Sequence, residues 1–104
     1  MSETSEPVRV ENNEEENRFE VKAGGDVAYV EYDRDGDQIY FTHTEVPQAF
    51  EGKGIGKALA TTALDFARSE KLEVIPRCPF VASYIRKHPE YLDLVPESSR
   101  SLVG

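Results

Sequence analysis

The stretch Glu51-Gly52-Lys53-Gly54-Ile55-Gly56 constrains this chain more than any other. Three glycines at alternate positions leave successive backbone amides unshielded by side chains. Ile55, Leu59, Thr62/Ala63 and Phe66 then recur at helical spacing, so the loop opens a helix that runs to about Glu70 and is closed by Lys71. The first amides of a helix lack a partner within the helix, and the aligned peptide dipoles add positive potential there. Such a loop is either an anion seat, suited to a phosphate or pyrophosphate, or a plain strand-to-helix turn that uses glycine for its conformational freedom. Lys53 and Lys57 add positive charge to it.

Two familiar phosphate loops do not fit. A Walker loop places four residues between its glycines and ends in Gly-Lys-Ser/Thr. Here three residues separate Gly52 from Gly56, and Ala58 stands where the magnesium-binding hydroxyl belongs. A dinucleotide fingerprint needs a further glycine at the position held by Leu59, and an acid at the end of the next strand, where Ile75-Pro76 stands instead.

The segments around the loop predict a mixed α/β (α+β) domain. Arg18–Val21 alternates, and Val27–Asp33 is rich in β-branched and aromatic residues. Asp35-Gly36 is a hairpin signal, and Gln38–Val46 reads as a strand with Ile39, Phe41 and His43 on one face and Tyr40, Thr42 and Thr44 on the other. These three make an antiparallel meander. After the helix, Leu72–Ile75 is a short strand stopped by Pro76. Pro79 then starts a second helix, with Phe80, Val81, Tyr84 and Ile85 as its buried face and His88-Pro89 as its end. The expected order is β-β-β-α-β-α. The helix acts as a crossover, so the last strand can pair parallel to Gln38–Val46. Pro47 and Pro76, at the ends of those two strands, favour strands that splay apart.

Charge divides the chain of 104 residues. Its net −8 splits into −5 over residues 1–17 and −3 over the rest. Residues 1–17 are expected to be a disordered acidic tail, 18–95 the folded domain and 96–104 a flexible tail. An acidic protein is a poor match for a nucleic-acid backbone and is compatible with a cationic amine. The sequence has no apolar run of membrane-spanning length and no secretory signal, and Cys78 has no second cysteine to bridge, so a cytoplasmic protein is expected. Two isolated histidines and one cysteine predict no metal site.

Three ordered segments carry a resemblance to a known family. They are His43-Thr44-Glu45-Val46-Pro47, Phe50-Glu51-Gly52-Lys53-Gly54-Ile55-Gly56, and Cys78-Pro79-Phe80-Val81 running into Tyr84-Ile85 and His88-Pro89-Glu90-Tyr91. Glu51-x-x-Gly54-x-Gly56 resembles the coenzyme A signature Arg/Gln-x-x-Gly-x-Gly/Ala of the GNAT superfamily of N-acetyltransferases. The whole resembles the minimal, single-domain GNAT-like proteins of about a hundred residues (YjdJ-type), over roughly residues 18–95. Glu51 replaces the usual Arg or Gln, and the superfamily's N-terminal helices have no counterpart.

The resemblance implies a minimal GNAT fold that binds acetyl-CoA as co-substrate. Gly52, Lys53, Gly54, Ile55, Gly56 and Lys57 would seat the pyrophosphate, and the pantetheine arm would lie beside Val46 between the two central strands. It implies an N-acetyltransferase acting on a primary amine, small molecule or protein lysine, in a monomer or weak dimer. Acetyl transfer needs a base for the amine and a proton for the departing thiolate. His43 or Glu45, on the strand entering the cleft, are candidate bases. Cys78 is a candidate nucleophile or a wall residue, and Tyr84 resembles the tyrosine that protonates the thiolate. The alternative is a non-catalytic module that binds or senses coenzyme A; a third reading is an interaction domain whose loop is only a turn.

Overall fold

The computed structural model describes residues 9–23, 25–50 and 54–104. Four strands form an antiparallel meander: β1 (Glu11–Asn13), β2 (Arg18–Ala23), β3 (Asp26–Asp35) and β4 (Gln38–Glu45). Helix α1 (Ile55–Ser69) crosses over to β5 (Glu73–Pro76), which pairs parallel to β4, and α2 (Pro79–Lys87) follows. The five strands make one sheet in sequence order. The α/β order read from the sequence is therefore present, with one strand added in front.

Both helices pack on one face of the sheet. Leu59, Ala63, Leu64 and Ala67 of α1 and Val81 and Ile85 of α2 join Phe19, Val21, Val30, Ile39 and Phe41 in one buried cluster. Each large apolar side chain fully buried there contributes about 1.5–3 kcal/mol. Arg68 fixes α1 against the 3-10 segment Pro89–Leu94 by two parallel bonds to Asp93, of 2.9 and 3.1 Å. The end of α1 is a Schellman turn: Lys71 takes a left-handed φ of 58°, its N–H bonds the Arg68 carbonyl, and the Leu72 N–H reaches back to Ala67.

Both terminal boundaries move. Residues 1–8 lie outside the described residues, but 9–17 do not form the expected tail. β1 pairs with β2, and the Tyr32 hydroxyl donates a 2.7 Å bond to Asn12. Asn13 donates to Glu20, and the Tyr32 amide bonds the Asn17 carbonyl. The asparagines supply these anchors, which a count of acids does not register. At the other end, residues 96–104 were expected to be flexible, yet Glu97–Leu102 forms a 3-10 segment against β5 and buries Val103.

The β3–β4 ladder contains the feature that positions the site. Tyr32 pairs with Phe41 but Glu31 pairs with His43, so Thr42 is an extra residue, a one-residue bulge. The sequence placed Ile39, Phe41 and His43 on one face. The bulge breaks that alternation: Ile39 and Phe41 are fully buried, Thr44 opposite Val30 turns toward the helices, and His43 and Glu45 turn to the open outer face.

Candidate active site

At its start α1 offers backbone and almost no side chain. Gly54 is the N-cap, at φ 71° and ψ 16°, in the left-handed region that side chains resist. Among the described residues no side chain caps the helix and no acid occupies its first turn, and its first bond runs from the Ala58 amide to the Gly54 carbonyl. Helix geometry leaves the amides of Ile55, Gly56 and Lys57 without an intrahelical acceptor. A Cβ built on Gly54 would meet nothing within 4 Å, so the backbone conformation and not crowding calls for glycine there. These features fit an anion such as pyrophosphate. Glu51, Gly52 and Lys53, the other part of the expected loop, lie outside the described residues.

Gly56 has a different reason to be glycine. A Cβ on it would stand 2.9 Å from Cζ of Phe80 and 3.3 Å from Cε1. Phe80, expected in the buried face of α2, is instead 36% exposed, with its ring tip against the first turn of α1. At the second position of α2 it projects past the core toward the neighbouring helix start. A glycine on α1 and an aromatic 24 residues later signal this contact only once the two helix starts are known to adjoin.

The opening between the central strands arises from unequal length. β5 pairs with β4 only from Gln38↔Glu73 to Phe41↔Pro76. β4 runs on for four more residues, so Pro47 and Pro76 do not face each other at matching ends, as the sequence had suggested. Beyond Pro76 the Cys78 amide donates a 2.8 Å bond to the Phe41 carbonyl, and Thr42–Glu45 then continue without a β5 partner. Pro76 supplies the stop, since proline has no N–H to extend a ladder.

The expected catalytic side chains fall into three places. His43 Nε2 and Glu45 Oε1 lie 3.4 Å apart on the outer face, both about half exposed, with the His43 ring 6.0 Å from that of Tyr29. Cys78 is 3% exposed on the helix side, its Sγ 2.9 Å from Thr44 Oγ1. Tyr84 lies between the helices: its hydroxyl is 2.8 Å from Thr61 Oγ1, and its ring stacks on His88 at 4.1 Å. Their two-residue spacing keeps His43 and Glu45 together and the bulge turns both outward, Cys78 meets Thr44, and Tyr84 is held by α1. Val46, the expected neighbour of the pantetheine arm, packs partly buried against the core just past β4.

Two clefts lie at opposite ends of this region. One of about 360 Å3, lined by Asp33, Asp35, Tyr40, Thr42 and Arg77, lies on the outer face where β4 and β5 part. Another of about 350 Å3, between Ile85, Leu92 and Val103, lies toward the opposite end of α2 from Cys78 and away from this opening. Among the described residues, no group of three or more His, Cys, Asp or Glu side chains gathers to hold a metal, and no helix is long and apolar enough to cross a membrane.

A sheet opened between β4 and a short parallel β5, with a crossover helix starting in glycine, defines a class, and comparison with known proteins agrees. The chain belongs to the GCN5-related N-acetyltransferase family, whose sequence model matches residues 18–94. It is 38% identical over 92 residues to Protein NATD1 of Mus musculus, covering 84% of each chain, and 32% identical over 93 residues to that of Danio rerio, covering 85% of this chain and 84% of the relative. The solution structure of a GCN5-like protein from Staphylococcus aureus superposes with a TM-score of 0.70, at 26% identity, over 86% of this chain and 88% of that one.

Proposed function

We propose that the protein transfers an acetyl group from acetyl-CoA to a primary amine. One observation carries the reading: β4 outruns β5 by four residues beside a helix start made of bare amides. The amides of residues 55–57, with Gly52, Lys53, Gly54 and the Lys57 side chain, receive the pyrophosphate. The unpaired edge of β4 and Val46 hold the pantetheine arm. His43 or Glu45 takes the proton from the attacking amine nitrogen. As the carbonyl carbon gains the nitrogen it loses the sulfur, and the thiolate takes a proton, for which Tyr84 is the candidate donor. The cleft with Asp33 and Asp35 suits a cationic acceptor arriving from the outer face. The single, buried Cys78 and the folded, acidic character of the chain fit the cytoplasm.

A second reading, a non-catalytic module that binds coenzyme A, is favoured by the separation of Tyr84 from His43 and Glu45 and by its bond to Thr61. Titration calorimetry with coenzyme A tests what the two readings share. Gly54→Val, which forces a β-branched residue into a left-handed conformation, is expected to abolish binding while the circular dichroism stays native. Unchanged affinity in the folded variant would remove the helix start as the pyrophosphate seat. Release of free thiol from acetyl-CoA with a panel of amines then separates enzyme from module.

A further inference from the structure

Phe80 is a large apolar side chain left substantially exposed, at 36%, beside the start of α1. Its two neighbours along the path are already fixed. At one side its ring tip touches the first turn of α1, close enough that no residue with a Cβ fits at position 56 without moving it. At the other, two residues back along the chain, Cys78 bonds the Phe41 carbonyl and contacts Thr44, where β4 leaves β5. Phe80 therefore stands between the anion seat and the opening in the sheet. An apolar ring kept in water at that point, with a glycine reserved to admit it, is unexplained by packing alone, since Val81 and Ile85 already fill the core side of α2.

We infer that Phe80 is the aromatic wall for the pantetheine arm, and that position 56 lacks a side chain so that this wall can stand there, its amide remaining turned to the phosphates. The assignment rests on the proposed coenzyme reading and adds to it the residue that recognises the apolar part of the ligand. The arm links the pyrophosphate to the thioester, so it must pass from the start of α1 to the β4–β5 opening. Its gem-dimethyl and methylene groups gain by covering the exposed ring. Phe80 is a positioning residue: it fixes where the thioester lies along β4 and takes no part in proton transfer.

The test uses two ligands that differ only in the arm, coenzyme A and 3′-phospho-ADP, titrated calorimetrically against the full chain. Phe80→Ala is expected to weaken coenzyme A roughly tenfold, what about 55 Å2 of covered apolar surface is worth, and to leave 3′-phospho-ADP within about twofold. Gly56→Ala is expected to weaken coenzyme A in the wild-type background by displacing the ring, and to have no further effect once Phe80 is alanine. Because the ring is partly exposed, Phe80→Ala should keep a native circular dichroism spectrum; Phe80→Leu, expected to retain part of the lost affinity, repeats the test with an apolar side chain kept at the position. Equal losses for both ligands, or no loss for either, would overturn the assignment while leaving the coenzyme reading intact. A wild-type protein that binds neither compound overturns the coenzyme reading, and the wall with it.

Discussion

On the helix side of the sheet, Phe19, Val30, Ile39 and Phe41 lie almost wholly out of water beneath α1 and α2. On the outer side lie Glu20, Tyr29, Glu31, His43 and Glu45, with His43 near both Tyr29 and Glu45. Arg18 sits 4.8 Å above the Tyr29 ring, and Glu20 accepts bonds from Asn13 and Arg18. The first face is fixed by area removed from water, which is insensitive to the particular atoms. The second is fixed by pairwise polar contacts, which are individually weak and chemically particular. The bulge at Thr42 moves residues between these regimes, handing His43 and Glu45 to the face where exposure costs nothing and protons can move.

Substitutions can break this division or sharpen it. The largest effect is expected at His43. His43→Ala should lower acetyl-transfer turnover about 10²–10⁴-fold, the usual worth of a general base, while the melting temperature stays within about two degrees. Full turnover in His43→Ala with loss in Glu45→Ala would move the base to Glu45. The opposite pattern is expected at Phe41. Phe41→Ala, by emptying a fully buried ring site, should cost about 3–5 kcal/mol in urea unfolding. If it cost less than about 1 kcal/mol, the helix face would not be the source of stability.

Cys78 tests the seam between the faces. As a wall against Thr44, Cys78→Ala should retain turnover within about tenfold and wild-type protein should form no acetyl-cysteine adduct. A dead variant, with acetylated wild type trapped by intact mass spectrometry when no amine is present, would make it the nucleophile.

The smallest effect concerns Glu20. Asn13's hydrogen bond, aided by the charges of Lys22 and Arg18, holds this carboxyl below its usual 4.5 against the opposing effect of burial. A depressed carboxyl stabilises the fold above its unfolded value and loses that contribution as pH falls through the folded one. Wild type should therefore shed stability below about pH 4.5, and Glu20→Gln should start slightly lower at neutral pH and shed less. Identical acid limbs in the two melting curves would detach Glu20 from that loss.

What the sequence disclosed follows the same division. β3, β4, α1 and α2 were legible because burial imposes a period, and the glycine start of α1 was legible because few residues other than glycine accept its φ. The bulge was not. Thr42 and Thr44 are both polar and β-branched, so the alternation reads equally well with or without an extra residue, and only the register against β3 decides which threonine faces Cys78. The role of Phe80 was hidden for a related reason: an aromatic at helical spacing next to Val81 reads as core until the position of Gly56 is known. β1 escaped notice because its bonds come from asparagines within an acidic stretch.

That acidic stretch has a further consequence. Among the described residues no strand lies on the side of β1 turned away from β2, and an uncovered sheet edge is a template on which a strand of another molecule can add. Here the edge is three polar residues long and runs into Glu14, Glu15 and Glu16, so an approaching copy meets like charge and little to pair with. A variant begun at Arg18 would expose β2 instead, six residues long and carrying Phe19 and Val21. Its hazard is not a failure to fold but clumping: light scattering should rise with concentration and on warming well before the helical signal is lost, and it should rise further as acid neutralises the remaining carboxylates.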